Sequence, residues 1–189
     1  MSKAFVKVAL VAALTWLAGG VLGVTSAEEA IVWSDINCSQ TKLVAPAGLR
    51  CRATNDHALR GLAVSTGRGQ AKGWAVVGTS GSVKLYYYAY QVLQSSSYIQ
   101  VGPLAEQVQG LSPQAKGAKS FSEVSKRGST DFLTFVSAVG DSCVGIRKYG
   151  TVSSMGYKWI LVATRCVPQG QSASDADIAA FISAADFRP

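Results

Sequence analysis

His57, the chain's single imidazole, stands beside Asp56 in TNDHALRG. A histidine base and a carboxylate to orient it are two of the three groups of a Ser–His–Asp hydrolase, and serines are plentiful. No Gly-x-Ser-x-Gly elbow surrounds any of them, however. Neighbours in sequence also direct their side chains apart in most backbones, so a hydrolase using His57 and Asp56 is the alternative and a solvent-facing loop histidine the expectation. A glycosidase needs two facing carboxylates. The chain has eleven acids, of which Glu28 and Glu29 adjoin a processing site and Asp175 and Asp177 open a helix. Enzymatic activity is therefore not the favoured expectation.

No Gly-x-x-x-x-Gly-Lys-Ser/Thr phosphate loop occurs. Gly67, Gly69 and Gly73, with Arg68 and Lys72 in TGRGQAKGW, come nearest, and a flexible hairpin connection explains them as well. The four cysteines, Cys38, Cys51, Cys143 and Cys166, contain no Cys-x-x-Cys pair and have one histidine for company, which argues against a metal site. An even number points instead to disulfides. Four cysteines allow three pairings, and closeness along the chain favours Cys38–Cys51 with Cys143–Cys166. No cofactor is implied.

Charge is the stronger functional signal. The formal net charge is +7, and between Lys42 and Lys84 seven basic residues (Lys42, Arg50, Arg52, Arg60, Arg68, Lys72, Lys84) face one acid, Asp56. Such a field concentrates anionic partners. In KLYYYAYQ, Tyr86, Tyr88 and Tyr90 share one strand face, with Tyr87 on the other. Tyrosines on an exposed face stack on sugar rings or bases, whereas cross-strand packing is their commoner fate.

The elements that must position these groups begin after a leader. Residues 1–27 have Lys3 and Lys7, an apolar run from Val8 to Val24, and small residues up to Ala27, the layout of a bacterial secretory signal. Residues 28–189 then form one exported domain, periplasmic or secreted, with no second run long enough to span a membrane. From Ile31 to Leu93 the pattern is strand-rich, with turns at Pro46–Gly48 and at Ser80 and Gly81. Pro103 opens a short helix ending before Gly110. Ser120 and Glu123 have capping-box spacing, predicting a second helix that closes at Gly128.

The last block predicts a three-strand antiparallel meander: DFLTFVSAV, a turn at Gly140 and Asp141, SCVGIRKYG, a turn at SSMG, and YKWILVATRCV. Opposing Cys143 and Cys166 sets Ile146 against Ala163 and Val152 against Tyr157. Val144 and Ile146 then share a face with Trp159, Leu161 and Ala163, and Lys148 lies near its open end. Arg147 and Tyr149 fall on the other, cysteine-bearing face as surface contacts. DADIAAFISAADF places Ile178, Phe181, Ile182 and Ala185 on one helical stripe, capped by Ser172 or Ser174, to cover the meander. The fold class is thus α+β, an antiparallel sheet packed on a C-terminal helix with two disulfides. This tail of hairpin strands and a helix ending near FR resembles PsbP-like and Mog1-like domains, a likeness of fold from which no function follows.

The expectation is a non-catalytic exported domain binding an anionic lipid, glycan or protein, with no specific nucleic-acid recognition. Its candidate contacts are Arg50, Arg52, Arg60, Arg68, Lys72, Lys84, Tyr86, Tyr88 and Tyr90. A third class, a secreted interaction or inhibitor protein, would present the loop bounded by Cys38 and Cys51, since a cross-link lowers the ordering cost of binding.

Overall fold

The computed structural model describes residues 32–54, 64–65, 71–150, 152–153 and 156–189. In chain order its first half contains β1 (Ser34–Asp35), a 3-10 turn (Cys38–Gln40), β2 (Leu43–Val44), β3 (Arg50–Thr54), β4 (Val64–Ser65), β5 (Ala71–Ser80), β6 (Val83–Val92), β7 (Gln100–Val101) and α1 (Leu104–Leu111). The second half contains β8 (Ser120–Phe121), β9 (Ser125–Arg127), β10 (Thr130–Val136), β11 (Ser142–Tyr149), β12 (Val152–Ser153), β13 (Gly156–Tyr157), β14 (Trp159–Val167), α2 (Asp175–Ala184) and β15 (Asp186–Phe187).

One antiparallel sheet organises the chain, in the order β1-β3-β5-β6-β14-β11-β10-β8, with β9 also on β10. The expected meander is present as β10, β11 and β14. It continues directly into the N-terminal hairpin, because β14 pairs with β6 from Trp159–Gln91 to Cys166–Lys84. Strands therefore dominate the fold more than the sequence pattern implied. The register across β11 and β14 opposes Cys143 with Cys166 and Ile146 with Ala163. Both proximity pairings of the cysteines are formed, Cys38–Cys51 and Cys143–Cys166. Val152 faces Tyr157, as expected, and Ser153 faces Gly156.

Alternation along the strands gives the sheet two apolar faces, and each is covered by one helix. On one side Tyr87, Val144, Ile146, Leu161 and Ala163 pack against Ile178, Phe181 and Ile182 of α2. Ser174, not Ser172, caps this helix: its Oγ accepts from the Asp177 N–H, and the Asp177 carboxylate accepts from the Ser174 N–H. On the other side Leu133, Phe135, Ile160 and Val162 pack against Leu104, Val108 and Leu111 of α1. Gly145 permits this approach, since a Cβ there would lie 2.9 Å from Val108.

The helix expected from Ser120 to Gly128 does not form; that stretch makes β8 and β9. The edge of β10 has N–H and C=O groups to satisfy, and the Ser122 N–H donates to Thr134 O at 2.8 Å while Ser122 Oγ accepts from the Thr134 N–H. Pairing of β8 and β9 along β10 outweighs one capping box worth about 1 kcal/mol. Gly128, at φ +60°, turns the chain from β9 to β10 instead of ending a helix.

Candidate functional site

Eight residues are too few for α1 to cover its whole face, and it packs on β10, β11 and β14. The β3-β5-β6 half of that face is left beside it, with Trp33 approaching from the β1 side. Between them lies a cleft of about 250 Å³. Its floor is Ala75, Val77, Tyr88 and Tyr90, one wall is Trp33 and Arg52, and the other is the end of α1 at Gly110 and Leu111 with Pro113.

Strand register explains the shape. Arg52 opposes Ala75, which opposes Tyr88, and in the next row Thr54 opposes Gly73, which opposes Tyr90. Each row sets a small residue between two larger ones, so the middle strand is recessed. A Cβ at Gly73 would come within 2.9 Å of both the Tyr90 ring and Thr54. Trp33 meets Tyr88 edge-on at 6.1 Å between centroids and Tyr90 at 6.5 Å, and Tyr86 stacks on Tyr88 at 6.4 Å.

Two donors in this cleft make no hydrogen bond. The Arg52 guanidinium donates through Nη2 to Trp33 O at 3.0 Å, and its Nε lies 3.4 Å from Asp35 Oδ1. Nε is nevertheless buried without a hydrogen bond, and so is the hydroxyl of Tyr90, a residue 1% exposed. Burial pushes the Tyr90 hydroxyl well above the ordinary phenol value, with Tyr88 adding to it. Burial likewise raises Tyr88, helped by Tyr86 and opposed by Arg52. Both hydroxyls stay protonated at neutral pH and are available as hydrogen-bond donors.

Three residues proposed from sequence, Arg52, Tyr88 and Tyr90, thus come together, with Tyr86 half-buried next to them. The tyrosines line a core-bounded cleft and do not form an exposed platform. The cations do not form one face. Arg50 is exposed and held by Asp35, Lys84 pairs with Asp141 at 2.6 Å, and Lys72 lies on the opposite face, 5.5 Å above the Trp74 ring. Arg60, Arg68, Asp56, His57, Gly67 and Gly69 lie outside the described residues, as does the leader. Within the Cys38–Cys51 loop the turn at Pro46–Gly48 is exposed, while Leu43 and Val44 pair with Phe187 and Asp186. Trp33 and Asp35 were missed, since only pairing with β3 brings them to Arg52.

Arg147 is not a surface contact. It is 8% exposed and donates to Gly102 O and Gln107 Oε1, both at 2.6 Å, and to Asp131 Oδ2 at 2.8 Å. Tyr149 donates its hydroxyl to the same carboxylate oxygen at 3.0 Å. The charges compensate each other, and the cluster ties α1 to the sheet. Lys148, on the α2 face, donates to Ala185 O at the helix end.

Because Tyr87, Tyr88 and Tyr90 all have raised folded pKa values, Tyr87 to about 12, alkali favours the unfolded chain. Their contribution is complete below the unfolded phenol value of about 10 and is lost as pH rises above it. Tyrosinate absorbance from these three is expected to appear together with the loss of β-sheet circular dichroism.

No family model, curated protein or solved structure matches this chain. Two disulfides are typical of exported proteins. Among the described residues, no helix is long and apolar enough to cross a membrane.

Proposed function

We propose that the chain is a non-catalytic binding domain, exported to the periplasm or beyond after removal of residues 1–27, that holds an acidic sugar residue of a glycan in the cleft beside α1. One observation carries this reading: Arg52 Nε and the Tyr90 hydroxyl, a charged and a neutral donor, make no hydrogen bond in a cavity framed by Trp33 and Tyr88, and the one carboxylate near Nε, Asp35 at 3.4 Å, is shared with Arg50. A buried donor without a partner costs about 1–3 kcal/mol, a cost an incoming acceptor removes. The aromatic walls suit the apolar face of a pyranose, and Arg52 suits its carboxylate. At about 250 Å³ the cleft falls below the ~300–1,000 Å³ of drug-sized sites, which favours a single ring over a lipid tail.

Calorimetric titration with glucuronate, with glucose as the uncharged control, tests this. Glucuronate is expected to bind and glucose to bind at least about tenfold more weakly, the difference a charged hydrogen bond makes. Tyr90→Phe is expected to weaken glucuronate roughly two- to tenfold while the free protein's thermal midpoint holds or rises, since the hydroxyl it removes has no partner. Arg52→Gln should abolish the preference for the charged sugar. Equal affinity for the two sugars, or no binding of either, overturns the reading.

A further inference from the structure

A second cavity with a buried donor that makes no hydrogen bond lies on the opposite face of the sheet. There a cavity of about 280 Å³ opens between the β5-β6 hairpin and α2, walled by Val83, Leu85, Tyr87, Phe181, Ala180 and Pro46. Arg165 enters it from β14. Arg165 opposes Leu85 and Ala163 opposes Tyr87, so Arg165 and Tyr87 are diagonal neighbours on adjacent strands with side chains on the same face. Arg165 Nη2 is occupied by Asp177 Oδ1 at 3.1 Å, but Nη1 is buried without a hydrogen bond. Tyr87 is 1% exposed and lines the same cavity, and its ring packs on Phe181 at 5.8 Å between centroids.

We infer that this cavity binds a neutral acyl group, its carbonyl oxygen accepting from Arg165 Nη1 and the Tyr87 hydroxyl and its alkyl chain lying along Leu85, Val83 and Phe181. Neutrality follows from Asp177. Its carboxylate already balances Arg165 and is held in turn by Ser174, whose hydroxyl donates to Oδ2 at 2.6 Å. The polar end therefore offers two hydrogens with no excess charge. A carboxylate bound there would leave one uncompensated negative charge in an apolar wall, whereas an amide or ester carbonyl satisfies both donors without that penalty. A ligand ammonium would compete with Arg165 for Asp177, which also lines the cavity, and would leave Arg165 Nη1 without an acceptor. The inference is independent of the cleft beside α1, because no side chain is shared between the two cavities.

The test is calorimetric titration of the oxidised protein with hexanamide, hexanoate and hexylamine. Hexanamide is expected to bind, hexanoate at least about tenfold more weakly, and hexylamine not at all. Tyr87→Phe should reduce hexanamide affinity roughly two- to tenfold, the worth of one neutral hydrogen bond, without lowering the thermal midpoint. Ala180→Trp, at an exposed helix position on the cavity wall, should block hexanamide while the circular dichroism spectrum is retained. Hexanoate binding as tightly as hexanamide, Tyr87→Phe leaving hexanamide unchanged, or no binding of hexanamide overturns the inference. Glucuronate binding should be unaffected by either substitution.

Discussion

Replacing Asp131 with alanine is expected to cost about 3–5 kcal/mol of folding stability, read as a fall in the urea midpoint with an unchanged slope. Asp131 is 4% exposed and accepts from Arg147 Nε, Arg147 Nη2 and the Tyr149 hydroxyl through one oxygen. Its other oxygen lies 3.6 Å from Lys126 Nζ. Without the carboxylate, Arg147 keeps two neutral acceptors and remains a buried cation with no counter-charge. Arg147→Met alone should cost a comparable amount, because it strands the carboxylate. Removing both charges as Asp131→Leu with Arg147→Met should recover most of the loss, since the dominant penalty is an unpaired buried charge rather than the absence of the pair. A single-variant loss below about 1 kcal/mol would show that the cluster is solvated.

The same carboxylate sets an acid limit. Burial pushes Asp131 up, but the hydrogen bonds from Arg147 and Tyr149 and the charges of Arg147 and Lys126 outweigh it, so its folded pKa lies below the ordinary value. A depressed folded value means the stabilisation is complete above the unfolded pKa of about 3.9 and is lost as pH falls through the folded one. Asp35 and Asp177 are also lowered, by Arg50 and Ser174 respectively. Both are exposed and screened by solvent, so Asp131 should dominate. Asp131→Asn should flatten the pH dependence of the urea midpoint below about pH 4.

Arg147 also marks where sequence stopped being informative. Alternation put it on the cysteine-bearing face of β11, and the structure agrees. What alternation could not say is that α1, some forty residues upstream, docks on that face against Gly145 and supplies Gln107. The C-terminal hairpin was legible because its signals are local: cysteine spacing fixes the register, and the register fixes the faces. The β14-β6 pairing was not, since nothing in either strand names the other. The false helix at Ser120 shows the same limit, as a capping pattern lost to an edge strand whose position depends on the whole sheet. In the cleft, Arg52, Tyr88 and Tyr90 were legible as residue types. Their convergence depends on Ala75 and Gly73 lying between them and on Trp33 closing the side, features of pairing and not of spacing.

The two disulfides are expected to respond to reductant at different rates and with different consequences. Cys143 and Cys166 are each 1% exposed and face the core under α1, so a thiolate reaches them only when that core opens. Cys38 is exposed, and its bond to Cys51 holds the segment carrying Trp33 and Asp35. In native buffer, Cys38–Cys51 should be reduced first, shown by mass-spectrometric thiol labelling. Glucuronate affinity should fall at that stage, while the sheet signal and the Asp131 cluster persist. Reduction of Cys143–Cys166 should follow the rate of global unfolding. Once it is open, the unfolded chain regains the freedom of a loop spanning a sequence separation of 23, worth about 3 kcal/mol on the entropic account. Cys143→Ala with Cys166→Ala isolates this term and should lower stability by at least that amount, because the β11-β14 pair also anchors the face on which α1 rests. Simultaneous labelling of all four cysteines in native buffer would mean that the C-terminal core opens as readily as the N-terminal edge. An unchanged thermal midpoint in the double variant would mean that strand pairing alone sets the register of that hairpin.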